Sequence, residues 1–204
     1  MPAPMIVRPR GKHTASIIFA HGLGDSAQGW YPLARALSEK PQFAHVKWVL
    51  PTAPVAPVTA NGGYRMTSWC VPPFLLSVVY ARVRAELTPC ARDRFDIQQI
   101  DPRAGILAED DAGMLSSVRT LAALISDEVD AGIPSDRVLV GGFSQGAVIS
   151  YLTALTSERR LAGVAALSGF LGMAGKVKAA RRRFRLAAQV CRKSTLTSGR
   201  CARR

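Results

Sequence analysis

The stretch Val138 to Val148, VLVGGFSQGAV, limits what this chain can fold into more than any other. Gly142 to Gly146 fit G-x-S-x-G, a pattern in which a strand turns sharply into a helix and holds a serine hydroxyl out above the sheet. Glycine on either side lets such a turn close without Cβ clashes. The flanks come in the required order. "RVLV" is an apolar, β-branched run suited to a buried parallel strand, and "GAVISYLTAL" continues as a good helix with its small residues first. Strand, turn and helix together imply an α/β architecture and make Ser144 the candidate nucleophile.

The rest of the chain extends the pattern. "ASIIFAHG" reads as a buried strand ending in a glycine turn, "HVKWVLPTAP" as a second strand, and Trp30 to Leu37 between them as a short helix. From Asp111 to Ala131 the apolar residues Met114, Val118, Leu121, Ile125 and Val129 recur every three or four positions, which predicts an amphipathic helix. Glu109, Asp110 and Asp111 stand at its start, where acidic side chains favour the dipole. "GIPSDR" ends that helix, and "LAGVAALSGF" predicts one more buried strand. Strands alternating with helices imply a mainly parallel sheet.

At 204 residues one domain with a substantial core is expected. The longest apolar run, from Phe74, stops at Arg82, well short of a membrane span. The N-terminal stretch has no apolar h-region, and Pro2 stands where N-myristoylation needs glycine. The expectation is an intracellular protein whose four cysteines, Cys70, Cys90, Cys191 and Cys201, are free thiols; their spacing matches no metal site.

The net charge of +13 belongs to one segment. Residues 175–204 hold eleven Lys/Arg and no Asp or Glu, and the remainder of the chain is almost balanced. The expected organisation is therefore a domain over 1–174, interrupted by an arginine-containing insertion at 70–94, and a basic, disordered tail over 175–204. "GKVKAARRRFRLAAQVCRK" could neutralise phosphates, but its only aromatic, Phe184, offers little for base stacking. No specific nucleic-acid partner is expected.

The chain resembles the acyl-protein thioesterases, the lysophospholipase/carboxylesterase-like α/β-hydrolases. The resemblance rests on "IIFAHGLGDSAQGW" (17–30), "LPTAPVAPVTANGGYRMTSW" (50–69), "FDI" (95–97), "EDDAGMLSSV" (109–118), "GIPSDRVLVGGFSQGA" (132–147) and "LAGVAALSG" (161–169). "HGLGD" and "GFSQGA" in this order and separation are highly specific. In the family "SW" runs almost directly into "FDI", which is why 70–94 reads as an insertion. The resemblance implies an α/β-hydrolase fold and a cytoplasmic, also nuclear, serine hydrolase that needs no cofactor or metal. Its substrates would be S-acyl thioesters on protein cysteines, with lysophospholipids and simple esters besides.

A serine attacking such a carbonyl develops negative charge on oxygen, which preorganised backbone N–H groups stabilise. One donor is expected on Gln145, the residue after the nucleophile, and the resemblance places the second on Leu23. It also puts Met66 and Trp69 on a substrate surface, with a core role for these two equally open. His21, in the donor loop, is expected to be structural, and His13 and His45 to lie on the surface. In this fold the acid and then the histidine follow the serine. After Ser144 the chain holds no Asp and no His, and its only acid, Glu158, falls at the end of the helix after the elbow. Two readings follow: a serine hydrolase of the family, or a member lacking the triad Asp and His that holds acyl groups without cleaving them.

Overall fold

The structure, a computed structural model, describes residues 1–58, 64–69, 100–101, 105–106, 111–173 and 177. The predicted insertion and, apart from Val177, the predicted tail lie outside the described residues, as do all four cysteines.

A five-stranded sheet organises the chain. β2 (Ala15–Ala20) is its centre, flanked by β3 (Val46–Leu50) and β8 (Val138–Phe143), with β1 (Met5–Val7) and β9 (Gly163–Leu167) outermost. All pairs are parallel except β1 with β3. Alternation along the strands builds two cores. Ile18 and Ala20 of β2 join Val49, Val138 and Val140 on one face. Phe19 joins Val46, Trp48 and Leu50 on the other.

The first face is covered by α2 (Asp111–Asp130) and α3 (Gln145–Thr156). The predicted stripe is the buried stripe: Met114, Val118, Leu121 and Ile125 are in the core and Val129 packs against it. The opposite face is covered by α1 (Ala27–Ser38), which is longer than the sequence pattern suggested. Ala27 and Ala34 seat α1 on Val7, Phe19 and Trp48. Its cover stops short of β8 and β9, so Ile17, Trp30, Leu33, Leu139 and Leu167 line an apolar recess of about 220 Å³.

Three features differ from expectation. β9 was predicted to be buried, yet four of its residues are half-buried and Leu167 is exposed, because β9 ends the sheet among the described residues. β1 went unpredicted: its three residues, Met5–Val7, are too few to show a period. So did the hairpin of β4 (Val55–Val58) with β5 (Tyr64–Thr67), because Pro57 within β4 argues against a strand unless it stands at an edge. A short antiparallel pair, β6 (Ile100–Asp101) with β7 (Gly105–Ile106), completes the described strands.

At the far end of the sheet from the elbow, Glu128 of α2 is 3% exposed and accepts from Ser16 Oγ and from Lys47 Nζ, each at 2.6 Å. Ser16 spends its one proton on Glu128, so His13 Nε2, 2.9 Å from Ser16 Oγ, must be the donor in that pair. His13 is therefore half-buried in a polar cluster rather than a surface residue, and His45 is half-buried as well. Glu128 thus joins α2 to β2 and β3.

Candidate active site

Ser144 lies between β8 and α3 with φ 50 and ψ −115. A side chain in this region of backbone space is strained. Three contacts hold it there. Its N–H donates to Leu167 O at 2.9 Å, and its carbonyl accepts from Ala147 and Val148 as α3 begins. Its side chain makes no capping bond to the helix. The flanking glycines are needed for space. A Cβ on Gly142 would stand 2.5 Å from Gly146 O, and one on Gly146 would stand 2.2 Å from Ala20 O. The helix start is pressed directly against the end of β2.

The end of β2 is where the HGLGD loop begins, so the two motifs meet. A Cβ on Gly22 would lie 3.1 Å from the Phe143 ring and 3.5 Å from Ser144 Cβ. Leu23 is half-buried in that loop, and Gly24 turns it with φ 76. β5 clasps the loop from outside: Gly24 N–H donates to Thr67 O at 2.8 Å and Thr67 Oγ1 donates to Asp25 O. Met66, next along β5, is half-buried with its sulfur 3.5 Å from the place a Cβ on Gly24 would occupy.

His21 is fully buried, and both ring nitrogens are committed. Nε2 accepts from Ala53 N–H at 3.0 Å, which leaves the proton on Nδ1, and Nδ1 donates to Gly22 O at 2.6 Å. In a trans peptide the carbonyl and the following N–H point in opposite directions. Fixing Gly22 O therefore fixes the direction of the Leu23 N–H. Burial holds the imidazole below its ordinary pKa, against the smaller opposing effects of the Gly22 bond and the Asp25 charge. Its structural role is thus to set the loop.

Gln145 is buried, and its side chain reaches a segment 76 residues away. Its Oε1 accepts from Trp69 N–H at 3.0 Å and its Nε2 donates to Ser68 Oγ at 3.1 Å. No sequence signal announced this tie. Of the two roles open for Trp69, core rather than substrate surface is the one it takes: it is 1% exposed, belongs to the core under α2 and α3, and donates its indole N–H to His21 O at 2.7 Å. A large aromatic whose polar atom is satisfied from within is held by the core. Ser144, Gln145, Leu23 and Met66 are thus gathered at one end of the sheet. Glu158 is exposed beyond the last turn of α3, roughly 20 Å along the helix from Ser144 at 1.5 Å per residue.

A parallel sheet whose strand turns through a strained serine into a helix, beside a glycine loop from a neighbouring strand, defines an α/β-hydrolase. The sequence comparison is more specific. The phospholipase/carboxylesterase family model matches residues 1–71 and 85–192, and the chain belongs to that family. It is 40% identical over 171 residues to acyl-protein thioesterase 1 of Cryptococcus neoformans, covering 84% of this chain and 60% of that protein. Acyl-protein thioesterase 1 of Schizosaccharomyces pombe is also 40% identical, over 86% of this chain and 65% of its own length. Among solved structures, acyl-protein thioesterase 2 of Zea mays superposes with a TM-score of 0.62 at 27% identity, covering 91% of this chain and 69% of that one. The chain thus spans about 60–65% of the length of these two curated relatives.

Proposed function

We propose that this chain carries the acyl-transfer site of an acyl-protein thioesterase, acting on S-acylated protein cysteines and on lysophospholipid-type esters. The observation that carries the reading is the strained Ser144 elbow packed against the HGLGD loop. In this reading Ser144 Oγ attacks the thioester carbonyl carbon. The N–H groups of Leu23 and Gln145 receive the charge that develops on the carbonyl oxygen, and the cysteine thiolate leaves. Water then releases the fatty acid from the acyl-serine. Each donor contributes roughly 3–4 kcal/mol to such a step. In this reading Met66, whose sulfur packs beside Gly24 of the loop, meets the substrate, and the site's chemistry requires no metal or cofactor.

Ser144 needs a base to give up its proton. His21 is engaged at both nitrogens, and His13 is bound into the cluster around Ser16 and Glu128. That observation favours a second reading for the chain by itself, acyl binding without turnover. Purified chain incubated with a palmitoyl thioester decides between them. Turnover that Ser144→Ala abolishes supports the hydrolase. Saturable binding without thiol release supports the acyl holder. Absence of both sinks the proposal.

A further inference from the structure

A cleft of about 790 Å³ opens between β1 and α1, on the side of α1 away from the apolar recess. Arg8 and Arg10 reach it from the end of β1, and Tyr31 and Arg35 from α1; Ile6 and Glu39 complete its principal lining. Two of the guanidinium groups meet the same residue, Glu39, one at its carboxylate and the other at its backbone carbonyl. Arg35 Nε stands 3.9 Å from Glu39 Oε1, and Arg10 Nη1 donates to Glu39 O at 3.4 Å. Each uses only part of a five-donor fork for this contact. The end of a helix favours cations, which explains Arg35 but not two more arginines lining the same cleft from a different element. Three guanidinium groups against one carboxylate leave a balance of two positive charges in the cleft. A dianion carrying several acceptor oxygens matches both that balance and the fork geometry.

We propose that this cleft is a recognition site for a phosphate monoester dianion, held by Arg8, Arg10 and Arg35, with the Tyr31 hydroxyl beside them. The site is separate from the Ser144 elbow and does not depend on the activity assigned to it. A phosphate of this kind could be soluble or could be the headgroup of a lipid, with Ile6 meeting the apolar part of the latter.

The test uses the full chain, because residues 175–204 carry their own positive charge. Binding of inorganic phosphate is measured by calorimetry, and binding to phosphatidylcholine vesicles containing phosphatidic acid by sedimentation. The cleft variant is Arg8→Gln/Arg10→Gln/Arg35→Gln. A charge-matched control is Arg119→Gln/Arg159→Gln/Arg160→Gln, three exposed arginines outside the cleft. The Arg35 side chain is 64% exposed, and Arg8 and Arg10 are exposed too, so the cleft variant should fold; matching thermal melts confirm it. The expected result is at least a tenfold loss of affinity in the cleft variant and less than a twofold loss in the control. Loss with vesicles alone identifies the lipid as the source; loss with inorganic phosphate identifies the soluble ion. Equal losses in the two variants, or no binding of either probe by the wild type, overturns the proposal.

Discussion

At Ser144 the backbone takes φ 50 and ψ −115, a conformation glycine enters without a Cβ penalty and serine does not. Ser144→Gly should therefore raise unfolding stability by about 1 kcal/mol in urea titrations, while Ser144→Ala, which keeps the Cβ, should not. Gly146→Ala should do the opposite, costing more than about 3 kcal/mol, since its new methyl meets a backbone oxygen that cannot swing away. His21 links the same corner to pH. Burial holds its folded pKa below the ordinary 6.5, so as pH falls through that value the unfolded chain binds a proton that the folded chain refuses. The resulting stability is present in full above about 6.5 and declines below it. Urea midpoints from pH 7.5 to 5.5 should fall more steeply for wild type than for His21→Gln. Equal slopes would show that burial of His21 contributes nothing to the pH dependence.

Helices were the legible elements, because a stripe such as Met114, Val118, Leu121 and Ile125 declares both its period and its buried side. Leu121→Ala should cost about 3 kcal/mol by calorimetry, as truncation at a fully buried helix position. Apolar, β-branched runs marked β2, β3, β8 and β9 as strands, but burial was legible only where a strand lies between others. β2 and β8, each with a strand on either side, are largely buried as read, whereas the exposure of β9 depends on what stands beside it, which no residue of β9 encodes. The candidate site divides in the same way. Ser144 and the glycine loop were visible as local motifs. The burial of Trp69 and the grip of Gln145 on Ser68 depend on segments brought together from more than 70 residues apart. Glu128 was also unreadable as anything but the polar flank of a helix. Glu128→Ala should cost about 3 kcal/mol, because it leaves Lys47 without its carboxylate and Ser16 without its acceptor. A double-mutant cycle with Lys47→Met checks that the loss is shared between the two.

At the scale of the whole molecule, cover is uneven among the described residues. α2 and α3 seal one face of the sheet, and α1 leaves the β8–β9 half of the other open around Leu33 and Leu167, which are 48% and 46% exposed. Such a surface binds apolar dyes and promotes association. Leu33→Ser/Leu167→Ser should lower binding of anilinonaphthalene sulfonate severalfold while shifting the unfolding free energy by less than about 1 kcal/mol. A loss of stability as large as that expected for Leu121→Ala would mean that the recess is packed core.

The central position of β2 also sets a timetable for the nascent chain. Ile17 finds Trp48 on one side early, but its partner on the other, Leu139, is translated much later. At about 5–20 residues per second, the ribosome needs roughly 5–20 seconds to cover the distance from the end of β3 to β8. Throughout that interval the innermost strand of the finished sheet has an open apolar edge. The need for a chaperone should therefore be greatest during synthesis of the middle third of the chain, before the elbow strand exists to close the gap.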